Sequence, residues 1–493
     1  MMQVADPAVR QQPERHNTAV PDCLLLAGVM LLSLALTACY TTQNLQALDS
    51  CATADPSVKP AAQIDSCTAF IQSAKPGSGD LAIALAARGT AYAALGGEDR
   101  AIQDFDRALE IKPDLVPALL NRGNVYVHKR SYDRAIEDYD RLIALKPDYA
   151  SAFVDRGNAY MHKGAYDRAI EDYDQAIRLK PDFAFAFEDR ARTYFLKGDR
   201  DRAMQDFDRA IALRPDVAAA YHSRGLAYAT KGDFDRAIED YDRALGMKVG
   251  SDYVNQGAVS RLFHGYDRGK GLQIDEAAVL TDRGQAYLGK ADYDRALQDF
   301  DHAIQLRPDY AGAYYYRGVS YEGQGLHDRA IRDFDQVIKI NPQFAAAYGS
   351  RGFSHEKTGD YARALEDYNE ALRLAPRHPV ALNGRCWVRA IANRELDGAL
   401  VDCNESLRLR PNDAPTLDSR ALVWLRMGQF DKAIEDAGTA LATDPRLASS
   451  LYIRGVAKRR LGELQAGDSD LAVARSIEPT IEDRFGHYGV RPY

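Results

Sequence analysis

Residues 116–149 read VPALLNRGNVYVHKRSYDRAIEDYDRLIALKPDY, and the spacing inside this stretch decides the fold. In its first half Leu119, Gly123 and Tyr126 stand four and three residues apart; in its second half Ala135, Tyr139 and Leu142 repeat that spacing. Steps of three and four place each set on one face of a helix. The polar turn Lys129 to Tyr132 separates the halves. Pro147 stops the second helix, because it lacks an N–H and its ring clashes with the preceding turn. The unit is therefore a predicted helical hairpin. Gly123 and Ala135 let its helices approach closely, and Tyr126 and Tyr139 fill the space above and below. A lone hairpin cannot bury both faces, so it must stack on a neighbour.

The neighbours are in the sequence. Proline recurs 34 residues apart at Pro113, Pro147, Pro181 and Pro215, then at Pro308, Pro342 and Pro376, and again at Pro411, Pro445 and Pro479. The 93 residues from Pro215 to Pro308 are two periods plus 25. Small residues hold the eighth place of the unit in Gly89, Gly123, Gly157, Gly225, Gly284, Gly318, Gly352 and Gly455. Aromatic rings hold the eleventh, as in Tyr92, Tyr160 and Tyr321, and alanine the twentieth, as in Ala101, Ala169 and Ala330. This register resembles the tetratricopeptide repeat over roughly residues 82–481. The resemblance implies an all-α solenoid of about eleven hairpins forming a right-handed superhelix, with five repeats in 82–251 and six in 277–481. Between them the insertion 252–276 is expected to form one extra helix and a glycine-rich loop, and 482–493 a tail. Departures cluster late. The ninth unit is one residue longer and has Cys386 at the small place, while Ala437 and Gly467 break the pattern in the tenth and eleventh.

The N-terminal residues are of another kind. Leu24 to Leu36 is an apolar run too short to span a membrane as a straight helix, preceded by Arg10 and Arg15. It ends in Leu36-Thr37-Ala38-Cys39, which resembles the lipobox of bacterial lipoproteins. That resemblance implies a signal over 1–38, lipidation of Cys39 with anchorage to a membrane, expected to be the outer one, and a linker or cap over 39–81. A plain signal peptide, giving a soluble periplasmic or secreted protein, is the alternative. Four cysteines remain outside the signal and lipobox, as the pairs Cys51/Cys67 and Cys386/Cys403, and in an exported chain they suggest disulfides. Once the extra residue of the ninth turn is removed, Cys403 falls on the register that Tyr368 holds one unit earlier, facing the small place of Cys386. The other reading is two buried thiols.

Composition narrows the function. A net charge of −8 argues against a nucleic-acid partner. No phosphate loop, nucleophile elbow or zinc-protease motif occurs, so no catalytic site, metal or cofactor is expected and the chain is read as a non-enzyme. His128 and His162 share one register and are read as exposed or groove-facing, with a metal pair the lesser alternative. An arginine precedes the small place in every unit, from Arg88 to Arg454, and aspartates such as Asp104 and Asp138 recur in second helices as regularly. The favoured reading is arginine stems packed between helices with heads on carboxylates; a ladder for a polyanion is the alternative.

In the resembled family, first helices line a peptide-binding groove. The corresponding register here places Asn124, Asn158 and Arg192 early and Val319, Phe353, Trp387 and Leu422 late. Asn124 and Asn158 are candidates for bonding a peptide backbone, and Phe353, Trp387 and Leu422 for an anchor pocket. Packing between first helices is the competing reading. The basic clamp known in the family is not evident, since Glu188 and Asp189 stand there. The expected function is a scaffold in the bacterial envelope for a protein or peptide partner. The alternative is a structural subunit of a polysaccharide export or secretion machine.

Overall fold

The computed structural model describes residues 46–53, 58–247 and 275–492. The apolar run Leu24 to Leu36, Cys39 and nearly all of the insertion 252–276 lie outside the described residues. Every regular element described is a helix, and the helices follow one another as hairpins. None is long and apolar enough to cross a membrane. The chain forms an all-α solenoid of repeats, divided into two compact units that meet in sequence at Asp199 and Arg200.

The first unit opens with a helical turn at 46–51 and the helix Pro60–Ser73, which Cys51 and Cys67 link, Sγ to Sγ, with their Cα atoms 4.5 Å apart. Phe70 and Ala84 are buried with the sulfurs. Hairpins one to three follow as Gly79–Ala94 with Glu98–Ile111, Val116–His128 with Tyr132–Leu145, and Ala150–His162 with Tyr166–Leu179, and Ala184–Lys197 ends the unit. The second unit opens with Arg200–Leu213 and carries hairpins five to eleven, from Ala218–Thr230 with Phe234–Gly246 to Ala448–Arg460 with Leu464–Ile477. The short helix Ile481–His487 follows.

One packing rule explains most of these hairpins. The glycine at the eighth place lies against the ring sixteen residues later. A Cβ added to Gly123 would sit 2.7 Å from the Tyr139 ring, one on Gly284 2.5 Å from Phe300, and one on Gly318 2.7 Å from Phe334. No such atom fits without the ring moving, so glycine is required by close approach and not by its backbone angle. The ninth hairpin, Pro379–Ile391 with Leu396–Leu409, replaces this contact. Its glycine and ring are Cys386 and Cys403, bonded Sγ to Sγ with Cα atoms 5.7 Å apart. The extra residue is taken up in the turn, where both Asn393 and Glu395 adopt left-handed angles, φ 51° and 49°. In the tenth hairpin Ala421 and Ala437 take the two places, both fully buried.

The arginine register holds successive hairpins together. Arg122 donates from Nε and Nη2 to both oxygens of Asp138 at 2.9 and 2.6 Å, within its own hairpin. Its Nη1 reaches back to Asp106 of the preceding hairpin at 2.6 Å. Arg156, Arg224, Arg283, Arg317 and Arg351 repeat the same three bonds with their own aspartates. In Arg385 and Arg420 an asparagine, Asn369 or Asn404, takes the backward bond. Burial pushes the carboxyls of Asp138, Asp172, Asp333 and Asp367 upward against the pull of these arginines. Removing one arginine would strand a buried carboxylate, which costs about 3–5 kcal/mol. The ladder is a clamp between hairpins, and its charge is spent internally.

Candidate functional site

The first helices of hairpins eight to eleven enclose a cavity of about 380 Å³. Ala345–Lys357 contributes Phe353, Glu356 and Lys357; Pro379–Ile391 contributes Val380, Asn383 and Trp387. Asp418 and Ser419 of Ala414–Arg426 and Ser449 of Ala448–Arg460 continue the wall, and Arg484 of Ile481–His487 closes it. Two aromatic side chains thus stand beside a polar floor.

That floor carries buried acids. The Glu356 side chain is only 8% exposed. It accepts from the Tyr368 hydroxyl at 3.0 Å and lies 3.2 Å from Lys357 Nζ. Burial pushes its carboxyl up. Asp418 is buried too, accepts from Ser449 and Ser450 Oγ at 2.7 and 2.5 Å, and is pushed up to about 6 by desolvation. One hairpin earlier Glu322 accepts from Ser354 Oγ at 2.7 Å and is raised by burial to about 7. Asn383 Oδ1 has no hydrogen-bond partner among the described residues although it lines the cavity. The site therefore offers aromatic surface, a buried carbonyl oxygen without a partner in Asn383, and carboxyl groups that burial pushes upward, Asp418 to about 6.

Phe353 and Trp387 come together at this cavity. Lys357 Nζ lies 4.7 Å over the Phe353 ring, and Trp387 meets Tyr488 edge-on at 6.2 Å. Leu422 does not join them, and its place in an anchor pocket is corrected. It is fully buried in a cluster with Val456 and Ile391, because apolar residues at the same register on both adjoining first helices cover it. Val319 is half-buried and stands apart from the cavity lining.

In the first unit, Asn124 Oδ1 accepts from the Tyr139 hydroxyl at 2.6 Å, and Asn158 Oδ1 from Tyr173 at 2.7 Å. Each asparagine thus satisfies the hydroxyl of a buried core ring. Asn158 Nδ2 also donates to Asp189 at 3.2 Å, whereas Asn124 Nδ2 is buried without a partner. Arg192 is held by Glu188 at 2.9 Å and Asp189 at 3.5 Å. His128 lies 3.2 Å from Glu98, and His162 stacks on Tyr132 at 5.7 Å.

Family comparison agrees with this geometry. Models described as tetratricopeptide repeat match residues 82–115, residues 120–182, 188–251 and 281–345, and residues 345–378. The chain carries tetratricopeptide repeats. Proteins built of such repeats generally mediate protein–protein interactions, and the family is typically non-catalytic. No curated protein matches the chain. Among solved structures, MamA is 29% identical, covering 32% of this chain and 92% of that one with a TM-score of 0.30. The tetratricopeptide-repeat domain of P58(IPK) is 19% identical, covering 76% and 97% with a TM-score of 0.34. A chain of the APC/C hetero-tetramer Cut9–Hcn1 is 14% identical, covering 85% and 90% with a TM-score of 0.41.

Proposed function

We propose that this tetratricopeptide-repeat chain is a non-catalytic scaffold of the bacterial envelope, anchored through Cys39, that holds a segment of a partner protein against the first helices of hairpins eight to ten. The observation that carries the reading is the cavity between Phe353 and Trp387. It is open, partly apolar, and provided with an unsatisfied acceptor in Asn383. Pockets with aromatic walls and a few polar groups suit a side chain presented from an extended or helical segment. The two linked cysteine pairs support an oxidising compartment. The lipobox-like Leu36 to Cys39 supports anchorage at a membrane.

The test is capture from detergent-solubilised membranes, with bound proteins quantified by mass spectrometry. The Phe353→Ala/Trp387→Ala variant should hold its partner at least tenfold more weakly with unchanged helical circular dichroism. Equal capture would remove the site. Lost helicity would mean that the two rings serve packing.

A further inference from the structure

The segment after the last hairpin runs back over the first-helix face of hairpins nine to eleven. After the helix Ile481–His487, five consecutive carbonyls meet side chains of that face. Arg426 donates to the carbonyl oxygens of Tyr488 and Gly489, the latter at 3.3 Å. The Tyr452 hydroxyl donates to Val490 O at 3.3 Å. Arg460 donates to Arg491 O at 3.3 Å and Arg459 to Pro492 O at 3.2 Å. Two side chains add contacts: Tyr488 lies edge-on to Trp387 at 6.2 Å and to Tyr361 at 6.4 Å, and Val490 is buried in the late apolar cluster with Tyr452 and Phe485.

This is a peptide bound in a groove, with the peptide supplied in cis. Backbone carbonyls carry no sequence, so another chain can offer the same acceptors to Tyr452, Arg459 and Arg460, and to Arg426 where it turns as Tyr488 and Gly489 do, with Gly489 at φ 74°. Among the described residues Arg426 meets only neutral carbonyls, those of Ala390 and Ile391 besides the two above. The side-chain selectivity lies in the ring of Tyr488 and in the buried Val490. The bonds from Tyr452 and the outer arginines are long for hydrogen bonds, so each is weak. Deeper anchorage comes earlier, from Ile481 and Phe485, which are fully buried. Lifting 488–492 would expose Val490 and open the two bonds that cap the helix, Gly489 N–H to Gly486 O and Val490 N–H to Phe485 O, each 2.9 Å, while Ile481 and Phe485 still hold the helix. The open cavity beside Trp387 and Arg484 adjoins this segment, so an incoming chain has a place to start.

We propose that residues 488–492 are a resident ligand of the groove, and that a partner binds by replacing them with its own segment, an aromatic side chain leading into a turn. This rests on the scaffold reading and adds to it a competitor within the chain. The resident segment sets a threshold: a partner must bind more tightly than a peptide held at the high effective concentration of a short tether.

The probe is a fluorescent peptide with the sequence of residues 487–493, read by anisotropy against the parent chain and a chain ending at Gly486. The parent should bind at least tenfold more weakly than the shortened chain. The same peptide with Tyr488→Ala should bind the shortened chain at least tenfold more weakly than the native peptide. A folded shortened chain that ignores the peptide, or that binds both peptides equally, overturns the inference, as does equal binding by the parent. Should the shortened chain lose helicity, hydrogen exchange on the parent decides: the amide of Arg491 must exchange faster than those of Phe485 and hairpin eleven. Opening only together with hairpin eleven overturns it. If peptide binding behaves as expected but shortening the chain leaves membrane capture of a partner unchanged, the competitor role fails while the scaffold reading stands.

Discussion

Replacing Cys386 and Cys403 together by alanine should loosen the late hairpins and leave the early ones untouched. In hairpins two, six and seven a glycine lies against a ring; in the ninth the two places are covalently joined, with Cα atoms at an ordinary separation of 5.7 Å. The bond closes a loop spanning 17 residues. In the chain-entropy description a loop of that size stabilises by about 3 kcal/mol, or roughly 150-fold in the local opening equilibrium. Alanine at both places cannot restore the lost contact, because the partner ring is missing too. A repeat array opens in parts, so a single melting temperature would blur the effect. Hydrogen exchange with mass spectrometry resolves it. Peptides from residues 379–477 should exchange on the order of 100-fold faster in Cys386→Ala/Cys403→Ala, and equally in the parent treated with reductant, while peptides from 116–179 should not change. Unaltered protection over 379–409 would refute the claim that this bond replaces the glycine–ring contact.

Three other perturbations follow from particular residues. Glu322 is raised by burial from 4.5 to about 7, so its protonated form suits the fold: the stability it contributes is complete below about pH 4.5 and lost as pH rises through 7. Relative to Glu322→Gln, the parent should lose at most about 3 kcal/mol between pH 5 and pH 8 in urea titrations, and parallel curves would contradict this. Arg130 takes a left-handed angle, φ 57°, at a turn position where Gly164 has φ 82°, so Arg130→Gly should stabilise by about 1 kcal/mol in chemical denaturation, and destabilisation would show that its side chain matters. Cys39→Ala should leave the chain unprocessed or move it from the detergent phase to the soluble fraction; unchanged mass and partitioning would dismiss lipidation.

The hairpins were legible because their determinants are local and repeated. Glycine, ring, alanine and proline recur at fixed spacing, and the Arg–Asp clamp showed as two registers of opposite charge. The candidate site was legible only in part. Asn124 and Asn158 looked like groove donors, yet their carbonyls bind Tyr139 and Tyr173. A signal existed: the ninth place is asparagine only where the ring is tyrosine, whereas Gln285 and Val319 accompany Phe300 and Phe334, which have no hydroxyl. Leu422 was misplaced because a buried and a groove-facing apolar residue read alike when neighbours at the same register are also apolar. The acids Glu322, Glu356 and Asp418 escaped notice because their burial depends on adjacent hairpins, and no spacing within one hairpin reveals it. The return of residues 488–492 over the first helices likewise involves contacts more than 30 residues apart in sequence, such as Arg426 with Gly489 and Tyr452 with Val490.

The central claim is that the first-helix face around Phe353 and Trp387 holds a partner. A photo-crosslinking amino acid at Asn383, inside the cavity, compared with one at Val401, which is 67% exposed on the second helix of the ninth hairpin, tests it most directly in intact cells. The account predicts a discrete adduct with one envelope protein from position 383, none from 401, and its loss in Phe353→Ala/Trp387→Ala. Equal adducts from both positions, or adducts from 401 alone, would contradict it.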